Sequence, residues 1–196
     1  MKTINFKRIL SLTAFALVVN IVWAIEPVVK VTGNKKFVVS LSSVPDNARL
    51  TIKDLDGTVL YTEAILKKSG EFQKRYNMQN LPDGNYQITM DSKLKNVSFP
   101  MTVKSEKIDL SGMNKTEYYK PTFTNVNNKV LVSKINLNSA PVEIIVSRNN
   151  GEVLFEETIT GKNQIRKYYD FSNVFGEFNI DVNTEYDSYS HKISIR

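Results

Sequence analysis

The sequence predicts an all-β protein with two tandem β-sandwich domains behind an N-terminal signal peptide. Three observations support this prediction: short stretches of alternating apolar and polar residues, turn dipeptides between them, and a unit of sequence that occurs twice. The alternation is clearest in Ala48–Asp54, where Leu50 and Ile52 would face one side of a strand and Thr51 and Lys53 the other. No sustained helical period follows the N-terminal segment.

Residues 1–24 have the pattern of a secretory signal peptide. Three basic residues precede an apolar run at positions 9–22, and Val22 and Ala24 are suitable residues for the −3 and −1 positions of a cleavage site after Ala24. An uncleaved anchor is the alternative, but the run is shorter than the ~20 apolar residues of a membrane span. We therefore expect export to the periplasm, the cell surface or the medium. Cleavage removes Lys2, Lys7 and Arg8 and lowers the formal net charge from +6 to +3.

The chain contains no cysteine. This excludes a disulfide framework, a thiolate nucleophile, a cysteine metal site and the lipid anchor of bacterial lipoproteins. Acidic and basic residues are interspersed along the chain and form no long basic run. The charge pattern therefore does not indicate nucleic-acid binding. The Asn- and Lys-rich composition favours a bacterial source.

The internal repeat defines the domains. The corresponding segments are Asn34–Ser40 with Asn127–Ser133, Leu50–Tyr61 with Ile144–Phe155, and Asn80–Met90 with Asn173–Val182. We predict a first sandwich at residues 27–104, a linker at 105–120 and a second sandwich at 121–196, each sandwich being large enough to fold alone. Part of the linker could instead form the last strand of the first repeat.

Turn residues separate the predicted strands. Asp56-Gly57 and the matching Asn150-Gly151 are typical of two-residue type I′ hairpins, in which both central residues take positive φ. Pro82 and Gly84 mark a second reversal before Tyr86. A tyrosine at such a corner donates a hydrogen bond to the turn backbone in immunoglobulin-like sandwiches, so the fold class is an immunoglobulin/fibronectin-III-like sandwich. The second copy has Gly176 and Phe178 at this corner, which packing alone would hold.

The combination of a D-G hairpin with an L-P-x-G-x-Y strand resembles the C-terminal sorting domains of type IX secretion cargo and related small secreted modules. The residues that carry the resemblance are Ile52, Asp56, Gly57, Leu81, Pro82, Gly84, Tyr86 and Ile88 in the first copy, and Val146, Asn150, Gly151, Val174, Gly176, Phe178 and Ile180 in the second. The resemblance implies an immunoglobulin-like sandwich without catalytic residues that directs cargo across the outer membrane. Two departures are that no cargo domain precedes the repeats and that the first copy, not the C-terminal one, matches better.

The sequence shows no catalytic residue and no cofactor site. His191 is the only histidine, and the repeat aligns it with Phe99, which indicates a packing position. Asp54 and Asp56 are candidate calcium ligands, but Arg148 replaces the first acid in the second copy, so turn chemistry explains both loops without a metal. We therefore expect a protein that is not an enzyme.

Tyrosines give one further hint. Tyr118, Tyr119, Tyr168 and Tyr169 are candidates for exposed aromatic contacts, because adjacent residues of a strand point to opposite faces. Exposed rings can stack on sugars or anchor an interface.

Three functions are compatible with these features. The first is a non-catalytic exported structural or protein-binding module, whose partner is another exported or envelope protein. The second is a sorting module read by a type IX-like secretion machine, and the third is weak carbohydrate binding. Binding by strand addition needs free sheet edges, which we expect at Val97–Val103 and Tyr189–Ile195.

Overall fold

The computed structural model describes residues 26–66, 70–110, 114–185 and 187–196. Within these ranges every regular element is a β-strand, and none contains a helix that could cross a membrane. The predicted signal peptide at residues 1–24 lies outside the described residues, as does Tyr186. The chain divides into two compact units, whose described parts span 26–119 (unit 1) and 120–196 (unit 2).

Unit 1 is a sandwich of two antiparallel sheets. Its strands are β1 (Val28–Gly33), β2 (Lys36–Leu41), β3 (Arg49–Asp54), β4 (Val59–Ala64), β5 (Phe72–Asn77), β6 (Gly84–Asp91), β7 (Lys95–Lys104), β8 (Lys107–Asp109) and β9 (Thr116–Tyr119). The smaller sheet has the order β1-β2-β5, and the larger has the order β4-β3-β6-β7-β8, with β9 also paired to β7.

Unit 2 repeats this arrangement. Its strands are β10 (Thr122–Val126), β11 (Lys129–Ile135), β12 (Val142–Arg148), β13 (Val153–Ile159), β14 (Gln164–Asp170), β15 (Gly176–Asn183) and β16 (Ser188–Ile195). The sheets have the orders β10-β11-β14 and β13-β12-β15-β16. Strands β10–β16 therefore occupy the places of β1–β7, and β8 and β9 are additional strands of unit 1. The three-on-four arrangement of the shared strands confirms the predicted tandem, fibronectin-III-like sandwiches.

The alternation of apolar residues builds one core in each unit. In β3, Leu50 and Ile52 are buried while their neighbours are more exposed, as the sequence predicts. Side chains from both sheets meet in each core, with Phe37 of β2 and Phe178 of β15 fully buried. Complete burial of such a side chain contributes about 1.5–3 kcal/mol, so these stripes decide which face of each strand turns inward.

Residues 105–120, predicted as a linker, contain β8 and β9. Both strands pair with β7: β8 with residues 102–104 and β9 with residues 95–98. The prediction that Val97–Val103 is a free edge is therefore wrong, because the following chain folds back along it. The corresponding strand of unit 2, β16, pairs among the described strands only with β15 and is the last strand of its sheet.

The two Asx-Gly hairpins have a different turn from the predicted type I′. In unit 1 the Gly57 N–H donates to the Asp54 carbonyl at 3.2 Å, and Gly57 takes positive φ (84°) while Asp56 does not. Gly151 has the same contact with Arg148 (2.9 Å) and φ of 88°. Both are three-residue loops in which only the glycine is left-handed. Asx-Gly suits this turn as well as type I′, so the dipeptide alone did not distinguish them.

The corner before β6 is held by a side chain. The Tyr86 hydroxyl donates to the Pro82 carbonyl at 2.9 Å, and an added Cβ on Gly84 would lie 3.4 Å from that hydroxyl. In unit 2, Phe178 occupies the tyrosine position. Its ring lies 5.2 Å from that of Phe171 and 5.5 Å from the Arg148 guanidinium, so packing replaces the hydrogen bond.

Candidate functional site

The candidate calcium loop uses its carboxylate for its own turn. Asp54 Oδ1 accepts the Thr58 N–H at 2.8 Å. In the second hairpin Asn150 Oδ1 accepts the Glu152 N–H at 3.1 Å, while Arg148 forms an ion pair with Glu152 at 3.2 Å. The described residues contain no group of three or more His, Asp or Glu side chains arranged to hold a metal ion. The Asx residues here satisfy loop amides.

His191 of β16 is partly buried against the facing sheet of unit 2. Its ring stacks on Phe123 of β10 with centroids 4.7 Å apart, and its Nε2 is 3.1 Å from Asn125 Oδ1. Burial lowers the pKa of His191, because partial desolvation disfavours the imidazolium. The residue thus has the packing role that its alignment with Phe99 predicts.

The four candidate tyrosines differ in their exposure. Tyr168 is 61% exposed and lies on the outer face of β14, while its neighbour Tyr169 is buried. Tyr118 and Tyr119 are half-buried in β9. Of the four, only Tyr168 presents a largely open ring, and one ring is a small platform for a sugar.

A Glu–Lys–Tyr cluster joins the sheets of unit 1. Glu63 on β4 of the larger sheet faces Lys74 and Tyr76 on β5 of the smaller one. The Lys74 ammonium lies 2.7 Å from Glu63 Oε1, and the Tyr76 hydroxyl donates to Oε2 at 3.1 Å. Burial raises the pKa of the Glu63 carboxyl, but hydrogen bonds from Lys74, Tyr61 and Tyr76 outweigh it and lower the pKa overall. Burial, then the charge of Glu63, raises the pKa of Tyr76.

Unit 2 contains the same cluster. Glu157 on β13 accepts from the Lys167 ammonium at 2.6 Å and from the Tyr169 hydroxyl at 3.0 Å, both on β14. We call Glu63–Lys74–Tyr76 and Glu157–Lys167–Tyr169 the inter-sheet ties. They are not evident from the sequence, although the repeat alignment places all three residue types in register. Only the fold shows that β4 and β5 belong to different sheets and face each other.

The covered edge of β7 contains a second charged cluster. Lys95 and Glu117 are largely buried with their charged groups 3.7 Å apart, and the Lys95 ammonium lies 5.6 Å from the Tyr119 ring centre. Lys115 lies 3.1 Å from the other carboxylate oxygen of Glu117, and the Tyr119 hydroxyl donates to that residue at 3.2 Å. Burial raises the pKa of Glu117, and the hydrogen bond from Lys115 and the charge of Lys95 more than offset it. The added strand is held at β7 by its backbone pairing with residues 95–98, and its acid lies within ion-pair distance of Lys95 without a hydrogen bond to it.

The match to a known protein family falls within unit 1. Residues 33–105 match the family model of the secretion system C-terminal sorting domain. The predicted resemblance of the first repeat to sorting domains is thereby confirmed, and the match indicates an exported protein. The second repeat lies outside the matched range. A search of curated proteins finds no match.

Several solved structures are similar to the chain. The BSP domain of a biofilm associated protein is 15% identical with a TM-score of 0.28, over 87% of this chain and 29% of that one. A segment of two fibronectin type-III domains from chicken tenascin is 13% identical with a TM-score of 0.28, over 87% and 98%. A β-glucuronidase from Lactobacillus rhamnosus is 13% identical with a TM-score of 0.25, over 84% and 36%. The fold class rests on the strand pairing described above.

Proposed function

We propose that this protein is an exported, non-catalytic protein-binding module whose partner is another exported or envelope protein. The observation that carries the proposal is the difference between the two equivalent edges. In unit 1, β7 already pairs with two further strands, whereas β16 is the last of the described strands in its sheet. The edge of β16 has the same fold behind it and offers main-chain hydrogen bonds to a partner strand.

The polar groups also support a binding role over catalysis. The carboxylate of each inter-sheet tie accepts bonds from a lysine and a tyrosine, and His191 is stacked and hydrogen-bonded. These groups hold the sandwiches closed. The surfaces that remain available for binding a partner are therefore the edges and the outer faces of the sheets.

Cell fractionation followed by affinity capture tests this proposal. A tagged full-length protein is expressed in its native cell, cross-linked, and recovered from the fraction that contains it. We expect a partner present in near-stoichiometric amount, and His191→Phe should capture it equally because phenylalanine occupies that place in the first repeat. Recovery of no protein beyond that found with an unrelated exported sandwich would refute the binding role. Loss of capture by a folded His191→Phe variant would show that the partner contacts the histidine.

A sorting module is the second candidate, and the family match over residues 33–105 favours it. Deletion of the last strand is a poor test, because Ile193 and Ile195 of β16 are buried in the core of unit 2. A better test fuses an exported reporter to residues 26–119 or to residues 120–196, with and without the secretion machine in the host. Surface display of the reporter by either fusion, dependent on the machine, would support sorting. Retention of both fusions in the periplasm would exclude it.

A further inference from the structure

The residue that opens β7 and the residue just before β16 can be equated, because the same hydrogen-bonded turn leads to each of them. In unit 1 the Ser92 hydroxyl donates to the Lys95 carbonyl at 2.8 Å and accepts the Lys95 N–H at 3.2 Å. In unit 2 the Thr184 hydroxyl makes the same two bonds with Asp187, at 2.9 and 3.1 Å. Asp187 therefore stands where unit 1 has Lys95.

The charge at this position is reversed between the units. Within each turn, Lys93 and Lys95 of unit 1 correspond to Glu185 and Asp187 of unit 2. In unit 1 the strand that covers this edge is antiparallel, with Glu117 opposite Val97, and this register brings the Glu117 carboxylate to Lys95. If a partner strand paired with β16 in the same register, the partner residue at the place of Glu117 would lie beside Asp187.

We propose that the outer edge of β16 binds an antiparallel strand of another exported protein that carries lysine or arginine at the place of Glu117. The proposal rests on the binding function given above and specifies its surface and the charge of its partner. An acid at that place would meet Asp187 as a like charge, which selects against such strands. Within unit 2 the Asp187 carboxylate accepts the Tyr189 hydroxyl at 3.2 Å and its charge acts on the buried Lys134 of β11, so the partner's cation would share an acid with which these two groups already interact.

The backbone of β16 can pair with a longer partner strand than the backbone of β7 can. The pairings of β8 and β9 leave a gap on β7 that includes Pro100, which has no N–H to donate. The repeat places Lys192 at that position in β16, so every residue from 188 to 195 has an N–H group. A partner strand can therefore run along β16 without the interruption seen in unit 1.

Two synthetic peptides test the proposal. One has the sequence of residues 114–120 with capped ends, and the other differs only by E117K. Each is titrated against the purified chain from residue 26 onward, as wild type, as D187K and as E156K, which changes an exposed acid on the strand at the opposite edge of the same sheet. Wild type and E156K should bind the E117K peptide about fivefold more tightly than the other peptide, and D187K should reverse this preference.

Amide hydrogen exchange of the same mixtures locates the binding. The E117K peptide should slow exchange in residues 188–195. Because the Asp187 charge also acts on the buried Lys134 of β11, D187N is measured beside D187K, and it should keep the exchange pattern of the unit 2 core and bind both peptides equally. The proposal would be overturned if wild type bound both peptides equally, if D187K left the preference unchanged, or if the peptide protected β7. Sedimentation without peptide that showed dimerisation through β16 would also overturn it. A native partner captured equally by wild type and D187K would leave the binding function standing and remove β16 as its site.

Discussion

Glu157 accepts hydrogen bonds from two residues of the facing sheet, Lys167 and Tyr169. Tyr169 is buried and its ring lies 5.8 Å from that of Phe155. On folding, its hydroxyl therefore replaces a hydrogen bond to water with one to the carboxylate. Burial, followed by the charge of Glu157, raises the pKa of Tyr169 and keeps the hydroxyl protonated as a donor. A hydrogen bond to a charged acceptor in such a place contributes more than an ordinary one.

Removal of this hydroxyl should destabilise unit 2. We expect Tyr169→Phe to lower the free energy of unfolding by about 1.5–3 kcal/mol, because the substitution leaves a half-buried carboxylate with one donor fewer. Tyr76→Phe should have a similar effect on unit 1. Tyr168→Phe is the matched control and should change stability by less than about 0.5 kcal/mol, since that side chain is exposed. Urea unfolding measures all three, and equal effects of Tyr168→Phe and Tyr169→Phe would contradict a special role for the tie.

His191 gives unit 2 a specific pH dependence. Its pKa is lowered in the folded state by burial, so the unfolded chain binds the proton more tightly. The stability of unit 2 should therefore be complete above the unfolded pKa of about 6.5 and decline as the pH falls below it. His191→Phe should remove this decline between roughly pH 5 and 7, before carboxylates begin to titrate. Urea midpoints measured across that range for both proteins check it, and parallel curves would show that another group is responsible.

At the scale of elements, both hairpins depend on one left-handed glycine. Gly57 and Gly151 have positive φ, and no atom lies within 4 Å of a Cβ added at either position. The cost of a side chain there is therefore conformational and not steric.

Gly57→Ala and Gly151→Ala should each lower the free energy of unfolding by about 1–2 kcal/mol, the cost of left-handed backbone for an ordinary residue. Gly33→Ala is a suitable control, because Gly33 also has open space around its Cβ position and its φ is not in the left-handed region. We expect it to change stability by less than about 0.5 kcal/mol. Thermal unfolding of the three variants is the measurement, and a loss in Gly33→Ala as large as in the hairpin variants would show that φ is not the cause.

The elements also show what local sequence can predict. Alternation in Ala48–Asp54 predicts a half-buried strand because side-chain period and burial are both local properties of an extended chain. The pairing of β8 and β9 is not local in this sense. Both strands are short and weakly patterned, and their place is decided by the edge of β7, so residues 105–120 read as a linker. The inter-sheet ties were missed for the same reason, since Glu63 and Tyr76 meet only across two sheets.

At the scale of the whole molecule, the repeat preserved what builds a sandwich and changed what lies at its edges. The cores, the bulged hairpins and the inter-sheet ties occur in both units. The corner tyrosine and the proline of β7 occur in unit 1 only, and the charge of Lys95 is reversed at Asp187. Contacts that hold two sheets together are thus common to the copies, whereas the groups that meet an added strand differ, as expected if the two edges serve different partners.

Each unit has its own core, so each should unfold on its own. Phe178 is fully buried in unit 2, and Phe178→Ala should remove about 3–5 kcal/mol, which is comparable to the whole stability of so small a domain. Hydrogen exchange followed by mass spectrometry should then show lost protection throughout β10–β16, with β1–β9 protected as in wild type. Phe37→Ala is the reciprocal variant and should expose unit 1 alone. Loss of protection in both units from either substitution would mean that the repeats unfold as a single cooperative body, and the edge of β16 would then have to be studied as part of it.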